Sequence, residues 1–455
     1  MIKKVLIANR GEIASRVIRT CKELGITSVA VYSEADEHAP FVGHADESYL
    51  LGPANVNESY MNMDKIFEIA RKANVDAIHP GYGFFSENET FVKRCDEEGI
   101  LFIGPKPEII KQMGDKIAAR TAMQANDVPV VPGTIQAIND VEEAIELAID
   151  IGYPIMLKAS AGGGGIGMQV VHNDEELRKS FESNSKRALN FFGDGSMFLE
   201  KKIDNAHHIE FQILGDNFGN VVHLFDRECS IQRRNQKIIE EAPSPFISEK
   251  TRVKMGETAV KAAKAIQYNN AGTIEFLVDE QQNYYFLEMN TRIQVEHPIT
   301  EETTGIDIVE MQIHIANNQA LPFKQEEIKQ QGHAIEARIY AEDPIRFFPS
   351  PGTITNIRVP EGTNVRNDIA FTENYKVSPF YDPMIGKLIV KGRTRDDAIE
   401  NLQIALEDYQ IEGIKTNLPM IQKTIQIKAF KEGMTTTAFV EEHYLPLIQE
   451  TKGGN

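Results

Sequence analysis

The sequence predicts an α/β protein, α+β over its whole length, in which a parallel sheet comes first and antiparallel hairpins follow. Two observations lead to this fold class. In residues 1–110, short apolar runs alternate with helix patterns, which is typical of βαβ units with a parallel sheet. From residue 204 onward, pairs of strand-like runs flank short turn signals, which is typical of antiparallel hairpins.

Length and composition narrow the class of protein. The 455 residues, 42% of them hydrophobic, predict two to four domains. A formal net charge of −19 argues against a general nucleic-acid binder and against docking on anionic lipid. Cys21, Cys95 and Cys229 form no CxxC pair, and no apolar run is long enough for a secretory signal or a membrane span. We therefore expect a cytoplasmic protein that binds neither nucleic acid nor membrane.

The N-terminal strands and helices are predicted from apolar periodicity. Residues 5–8 form an apolar run, and the helix pattern after it has its apolar positions at Ile13, Val17, Cys21 and Leu24. Further strands are expected at residues 28–32, 76–79 and 100–103. No G-x-G-x-x-G follows the first strand, so dinucleotide binding is not indicated. The sheet can be structural, or it can form one wall of a cleft.

Residues 111–130 are predicted to be mostly helical and contain Lys116, and residues 131–203 read as a separate small α/β unit. Its elements are strands at 154–158, 168–172 and 197–203 and a helix at 174–190. Five of the eight residues from Ser160 to Gly167 are glycine. They predict either a flap whose backbone amides close over phosphates or an idle hairpin tip. Lys116 and Lys158 could reach a phosphate, or they could be solvated surface charges.

Two hairpins follow. Residues 208–215 and 220–225 flank the first turn, and the donor-rich run from Cys229 to Lys237 after it reads as a solvated face. For the second hairpin, strands 272–278 and 284–290 could pair in two registers. With Asp279 opposite Tyr284, one face gathers the apolar residues Ile274, Phe276, Val278, Tyr285, Leu287 and Met289, and we expect this register.

That register places Glu275 opposite Glu288, with Asn290 on the same face. Opposed carboxylates repel when nothing lies between them, and two carboxylates with an amide oxygen suit Mg²⁺. The alternative is a solvated acidic face.

Polar residues continue beyond Asn290 at every second position as far as Glu296. Fully extended, Glu288 to Glu296 would span roughly 26 Å, so the chain must turn between Asn290 and Glu296 if both ends serve one substrate; otherwise the stretch is a half-buried strand with a wet face.

Residues 331–446 read as a last α/β region. A strand at 333–341 would carry Glu336, Arg338 and Tyr340 on one face, followed by a strand at 384–390 and a helix at 395–409. Taken alone, Arg338 is also compatible with an ordinary structural ion pair.

Six sequence blocks, in order along nearly the whole chain, resemble biotin carboxylase, the ATP-grasp component of biotin-dependent carboxylases. They are KVLIANRGEIASRVIR near the start, HPGYGFFSEN at 79–88, KASAGGGGIGM at 158–168, CSIQRRNQK at 229–237, EMNTRIQVEHPITE at 288–301 and FFPSPG at 347–352. The resemblance implies an ATP-grasp fold with a Rossmann-like parallel-sheet domain at 1–113. An ATP-grasp domain would follow at 114–330, with a mobile lid at 131–203, and a C-terminal antiparallel-sheet domain at 331–446.

The implied reaction is ATP-dependent carboxylation of biotin by bicarbonate through carboxyphosphate, and the resemblance assigns the site by motif position. Residues expected to bind ATP are Lys116, Lys158, Gly164, Gly165, Glu200, Lys201, Ile203, His208, Gln232 and Asn235. Glu275, Glu288 and Asn290 are expected to bind Mg²⁺ or Mn²⁺, and Lys237, Arg292, Gln294 and Val295 to bind bicarbonate. Glu296 would be the general base, and Arg338 would stabilise the biotin enolate.

Two positions depart from the family pattern: Ile166 stands where many relatives have Lys or Arg, and Asn235 stands where His is common. No Met-Lys-Met biotin-attachment motif occurs, and nothing beyond residue 446 has room for a carboxyltransferase. We therefore expect a biotin carboxyl carrier protein and carboxyltransferase subunits as separate partners, a homodimer, and acetyl-CoA carboxylase as the parent complex. The alternatives are another ATP-grasp carboxylate ligase or a catalytically silent nucleotide-binding subunit.

Overall fold

The computed structural model describes residues 1–160 and 168–453, and its first region is built on a parallel sheet. The strands are β1 (Lys4–Ile7), β2 (Thr27–Ser33), β3 (Glu47–Gly52), β4 (Ala77–His79) and β5 (Leu101–Phe102), in the order β3-β2-β1-β4-β5. The helices are α1 (Gly11–Glu23), α2 (Pro40–His44), α3 (Met63–Ala73), α4 (Glu89–Glu97) and α5 (Pro107–Gly114). The predicted parallel sheet is confirmed. β3 was not anticipated, because its residues alternate between exposed and half-buried until Leu51.

Next comes α6 (Lys116–Gln124) and a small α/β unit. The elements of this unit are α7 (Val141–Ile151), β6 (Ile155–Ala159), β7 (Gln169–Val171), α8 (Asp174–Phe192) and β8 (Met197–Lys201). The three strands form an antiparallel sheet in the order β7-β6-β8. Apolar residues of α7, α8 and this sheet pack into a core of their own. The three strands and the helix at 174–190 predicted here are therefore present, while the bounds of the unit at 131–203 stay a prediction.

A large antiparallel sheet makes up the centre of the molecule. Its elements begin with β9 (His207–Gly215), β10 (Val221–Arg233), β11 (Gln236–Ala242), α9 (Glu249–Ala265), β12 (Asn270–Val278), β13 (Tyr284–Asn290), α10 (His297–Thr304) and α11 (Ile308–Ala316).

The predicted solvated run 229–237 is instead the tip of the β10–β11 hairpin, where Arg234 and Asn235 take left-handed backbone conformations. Cys229 and Ser230 are buried there, so that expectation was wrong over its first half.

The β12–β13 hairpin combines the two registers considered from the sequence. Glu275 lies opposite Glu288, as predicted, and Ile274 lies opposite Met289. Closer to the turn, however, Val278 and not Asp279 pairs with Tyr284. A β-bulge at Leu287 absorbs the one-residue shift. Consequently the expected apolar face is corrected: Phe286 and Met289, rather than Tyr285 and Leu287, join the core beneath α9.

The remaining elements continue the central sheet and cover its end. They are β14 (His333–Tyr340), β15 (Gly352–Thr353), β16 (Asn356–Arg358), β17 (Val365–Ile369), β18 (Lys376–Val377), β19 (Met384–Gly392), α12 (Arg395–Asp408), β20 (Gln410–Glu412), α13 (Leu418–Thr424), α14 (Lys428–Lys431) and α15 (Leu445–Gly453). The central sheet has the order β13-β12-β9-β10-β11-β14-β19-β17 and so crosses residue 331, where the sequence suggested a domain boundary. That boundary stays a prediction. Within residues 1–160 and 168–453, no helix is long and apolar enough to cross a membrane.

Candidate active site

The two faces of the central sheet differ in chemistry. One face carries Ile209, Phe211, Ile274 and Phe276, which pack with α9 in an apolar core. The opposite face carries polar residues at alternate positions because side chains alternate along a strand. These are His208, Glu210 and Gln212 on β9, Arg227 and Cys229 on β10, Lys237 on β11, Glu275 on β12 and Glu288 and Asn290 on β13. Most of them are buried, so their charges must be paired within the protein.

Glu275 and Glu288 face each other yet titrate in opposite directions. Burial favours the neutral form of Glu275, but Lys237 and His208 outweigh burial and hold its pKa below the ordinary range. The Nε2 atom of His208 lies 2.8 Å from one Glu275 oxygen, and the Asn290 amide donates to the other at 2.8 Å. Burial and repulsion by Glu275 raise the pKa of Glu288, which Lys116 only partly offsets.

This donor set fits a divalent cation. A cation between the opposed carboxylates would relieve the repulsion that raises the pKa of Glu288. The oxygen of Asn290 accepts a 2.8 Å hydrogen bond from Arg292, so Asn290 links the carboxylate pair to the stretch that follows it. A second cluster of possible ligand atoms, within 4.8 Å of one another, comprises His208, Glu210 and Glu275.

The chain turns after Asn290, as the length argument required. β13 ends at Asn290, the backbone bends at Arg292, and α10 begins at His297. Lys237 shows the result, since its ammonium lies 3.2 Å from Glu275 and 2.5 Å from Glu296. Lys237 therefore joins Glu296, at the far end of the stretch, to Glu275, the strand partner of Glu288, and the predicted turn between Asn290 and Glu296 is confirmed.

Glu296 lies among cations. One oxygen accepts from Lys237, and the other accepts from the guanidinium of Arg338 at 2.9 Å. Burial would raise the pKa of this carboxyl, but Lys237, Arg338 and Arg227 together hold it well below the usual range. Arg338 also binds Glu240 at 2.5 Å, and burial raises the pKa of Glu240 to about 7 against the attraction of Arg338. Glu296 is thus ionised at neutral pH.

Arg292, Gln294 and Val295, the other residues expected to bind bicarbonate, form hydrogen bonds with charged residues in and around the site. Arg292 donates to Glu87 at 2.9 Å, and Glu87 also accepts from the backbone amide of Thr291 at 3.0 Å. Gln294 donates to Glu275 at 2.7 Å and accepts from Arg227 at 2.5 Å. The Val295 carbonyl accepts a 2.7 Å hydrogen bond from Lys387.

A second group of predicted residues lies on α6 and on the small α/β unit. Lys158 on β6 pairs with Glu200 on β8, which also accepts from Arg120 at 2.7 Å. Lys116, at the start of α6, interacts electrostatically with Glu288 and Lys158. Burial, with Lys158 adding to it, lowers the pKa of Lys116 although Glu288 opposes the shift. The groups proposed for phosphate and for metal are therefore electrostatically coupled.

The remaining described residues that are expected to bind ATP are Lys201, Ile203, Gln232 and Asn235. Lys201 donates to the Gly152 carbonyl at 2.7 Å, Ile203 and Gln232 are half-buried, and Asn235 is exposed in the hairpin turn. Gly164, Gly165 and the unusual Ile166 lie outside the described residues.

Sequence reasoning missed several residues that line or support the site. Glu210 and Arg227 form a fully buried ion pair of 2.6 Å, and Glu210 also binds Lys237 at 2.7 Å. The signal for Glu210 was available: His208, Glu210 and Gln212 alternate with apolar residues, the same pattern that drew attention to residues 288–296. Glu87 and Lys387 had no such local signal, because each reaches the site from a distant element.

Comparison with protein families gives three adjoining matches. Residues 1–110 match the "Biotin carboxylase, N-terminal domain" family, residues 115–324 match "Carbamoyl-phosphate synthase L chain, ATP binding domain", and residues 336–442 match "Biotin carboxylase C-terminal domain". The chain is 61% identical to biotin carboxylase 2 of Bacillus subtilis over 97% of its own length and 100% of that protein. It is 50% identical to the 2-oxoglutarate carboxylase small subunit of Hydrogenobacter thermophilus, over 97% of this chain and 94% of that one.

Comparison with solved structures points to the same family. A biotin carboxylase–ATP-analogue complex from Campylobacter jejuni superposes with a TM-score of 0.96 at 49% identity, covering 97% of this chain and 99% of that one. The biotin carboxylase domain dimer of Hydrogenobacter thermophilus 2-oxoglutarate carboxylase, in complex with MgADP and bicarbonate, superposes with a TM-score of 0.95 at 50% identity, covering 98% of each chain.

Proposed function

The chain belongs to the biotin carboxylase family of ATP-dependent ligases and has its ATP-grasp fold, and from this premise we propose that it carboxylates biotin, carried on a separate protein, with bicarbonate. The observation that carries the proposal is the contact of Glu296 with both Lys237 and Arg338. The two cations keep Glu296 ionised, as a proton acceptor must be, and they would also attract an anionic substrate to it, whereas a protein that only binds nucleotide needs no such carboxylate.

ATP would bind between the small α/β unit and the central sheet. Lys116 and Lys158 would contact its phosphates, and Glu200, Lys201, Ile203, His208, Gln232 and Asn235 would form the nucleotide pocket. The lid, including Gly164 and Gly165, would close over the phosphates and exclude water from carboxyphosphate. Mg²⁺ or Mn²⁺ on Glu275, Glu288 and Asn290 would neutralise phosphate charge. The repulsion between the two carboxylates, which raises the pKa of Glu288 and which a cation would offset, supports this assignment.

Bicarbonate would lie near Lys237, Arg292, Gln294 and Val295. It is a weak nucleophile with the same sign of charge as ATP, so cations must screen both. Glu296 would take the bicarbonate proton while a bicarbonate oxygen attacks the γ-phosphorus and ADP leaves. The resulting carboxyphosphate would break into CO₂ and phosphate. Phosphate would then remove the biotin N–H proton, and the enolate, stabilised by Arg338, would attack CO₂.

We also propose a biotin carboxyl carrier protein and carboxyltransferase subunits as partners, a homodimer, and acetyl-CoA carboxylase as the parent complex. The acyl-CoA acceptor is chosen by the carboxyltransferase, so copurification of the endogenous partner is the direct test.

The reaction itself is tested by ADP release in the presence of Mg²⁺, with bicarbonate titrated and with or without free biotin. We expect ADP release to require bicarbonate and to increase when biotin is added, because biotin consumes the CO₂ formed in the site. Absence of bicarbonate-dependent turnover would contradict the proposal. Turnover driven by another carboxylic acid would indicate a different carboxylate ligase, and nucleotide binding without turnover would indicate a silent subunit.

A further inference from the structure

Lys387 on β19 is a fully buried lysine outside the set of residues assigned above. Its side chain has 0% exposure, and on the neighbouring strands it lies opposite Arg338 and Asp368. Its ammonium lies 2.7 Å from the Val295 carbonyl oxygen, 3.3 Å from Glu12 and 4.0 Å from Asp368. Burying an ammonium costs free energy unless its charge is paired and its N–H groups are bonded.

The pattern of distances distinguishes Lys387 from an ordinary structural ion pair. Coulomb attraction alone would draw an ammonium towards the carboxylates of Glu12 and Asp368. The shortest contact is instead the one to the neutral Val295 carbonyl. The carboxylates therefore balance the charge, while the directional hydrogen bond holds the backbone next to Glu296.

The Val295 carbonyl belongs to the peptide group that ends at the Cα of Glu296. A peptide group is planar, so holding its oxygen restricts the orientation of the whole plane and the position of the Glu296 Cα. This part of the chain lies between β13 and α10, where no sheet ladder holds it. The preceding carbonyl, that of Gln294, accepts from His297 Nδ1 at 2.7 Å, so two successive carbonyls are held by buried side chains.

The contacts of Lys387 continue into the N-terminal region. Glu12, on α1, accepts a hydrogen bond from the hydroxyl of Tyr82, in the loop after β4. Burial raises the pKa of Glu12, and Lys387 opposes that shift. A series of contacts thus connects Tyr82 with Glu12, Glu12 with Lys387, and Lys387 with the Val295 carbonyl next to Glu296.

We propose that Lys387 is a positioning residue for the reaction, acting through the Val295 carbonyl to hold Glu296 in the orientation in which it takes the proton from bicarbonate. Glu12 balances the charge of the buried ammonium and so stabilises Lys387 at its position beside that carbonyl. This inference rests on the proposed function and deepens it, since it names a further residue on which proton removal depends.

The test compares Lys387→Met, which keeps the length of the side chain but removes its charge and donors, with the wild-type enzyme. Misplacing a reacting group by about 1 Å can cost about 100-fold in rate. We therefore expect kcat for bicarbonate-dependent ADP release to fall about 100-fold, the KM for bicarbonate to rise, and MgATP binding to stay within about twofold. The control is Lys391→Met on the same strand, whose side chain is 46% exposed and pairs with Glu302 at 3.3 Å, and which should match wild type.

A second variant covers the possibility that Lys387→Met does not fold. Glu12→Gln keeps the size of the side chain but removes the charge that balances Lys387, and it should lower kcat about tenfold with MgATP binding retained. If folded Lys387→Met or Glu12→Gln shows wild-type kcat and KM for bicarbonate, or if MgATP binding falls as much as turnover, the positioning role is wrong. Failure of the proposed function is distinct, because wild type itself would then show no bicarbonate-dependent turnover.

Discussion

The parallel N-terminal sheet and the antiparallel central sheet bury different kinds of side chain. Most of the buried residues on strands β1, β2 and β4 are apolar, such as Leu6, Val29 and Ile78. This is typical of a parallel sheet covered on both faces. The central sheet buries one apolar face under α9, and its other face carries charged residues beneath α10 and the turn that precedes it.

The difference shows where stability and chemistry lie in this molecule. A polar sheet face usually meets water, but this one is covered, so Glu210, Glu275 and Glu296 are each paired with buried cations. Charges held in fixed positions away from water can act on a substrate without reorganising. We therefore expect substitutions on the polar face to affect turnover most, and substitutions in the parallel sheet to affect stability.

Glu296→Ala gives the largest expected effect. Loss of a placed general base should lower bicarbonate-dependent turnover by about 10²–10⁴, while MgATP binding stays nearly unchanged because Glu296 contacts Lys237 and Arg338 and not Lys158. Steady-state ADP release and equilibrium nucleotide binding measure the two quantities. Glu302→Ala, on helix α10, which Glu296 directly precedes, is the control. Lost nucleotide binding in Glu296→Ala would make Glu296 a structural residue.

Leu6→Ala probes the parallel sheet. Leu6 is fully buried between Val29 on β2 and Ile78 on β4, so removing its side chain should lower the free energy of unfolding by about 2–5 kcal/mol. Chemical denaturation measures this change. The kcat of the folded enzyme should stay within about twofold. Leu50→Ala on β3, where the side chain is 46% exposed, should cost far less. A large fall in kcat for folded Leu6→Ala would break the contrast between the two sheets.

The smallest predicted effect concerns pH, and each sheet contains one group that should show it. Burial lowers the pKa of His79 on β4 to about 4, with Arg16 adding to the shift and Gln312 opposing it, and burial also lowers the pKa of His223 on β10 to about 4. In both, the folded state disfavours the proton that the unfolded state accepts near pH 6.5. Their stabilisation is therefore complete above that pH and is lost as pH falls towards 4.

Each histidine should contribute a slope of up to about 1.4 kcal/mol per pH unit in that window. Denaturation of His79→Gln and His223→Gln at several pH values should show a shallower loss of stability than wild type. His38→Gln, at an exposed position, is the control. An unchanged slope in either variant would mean that this histidine is protonated equally in both states.

Much of this architecture was predictable because local patterns report which face a residue occupies. The alternation in β13, together with that in β12, indicated that Glu275 and Glu288 share one face, and the structure confirms it. The same patterns could not place the bulge at Leu287. One register suits the apolar residues near the carboxylates and the other suits those near the turn, and only packing against α9 shows that both occur.

Part of the candidate site was also predictable, because many of its residues lie in short characteristic stretches of sequence. Six sequence blocks pointed to the family that the comparisons establish, and they include Lys237, Arg292, Glu296 and their neighbours. Glu210 and Lys387 lie outside the blocks and were missed although their own strands were predicted, and Glu87 was missed inside one of the blocks. Lys387 lay within a predicted strand, but nothing in that strand indicated a contact with a backbone carbonyl 92 positions away.

By itself, then, the sequence determined the fold class, the polar face of the central strands and the need for a turn between Asn290 and Glu296. Periodicity and chain length are local properties, and neighbouring residues are sufficient to express them. The tertiary structure alone decided which distant charges meet: Glu87 with Arg292, Arg227 with Gln294, and Lys387 with Val295. These contacts depend on how the N-terminal region, the central sheet and the turn after β13 pack together. Their strength comes from exclusion of water, which exists only once the chain has folded.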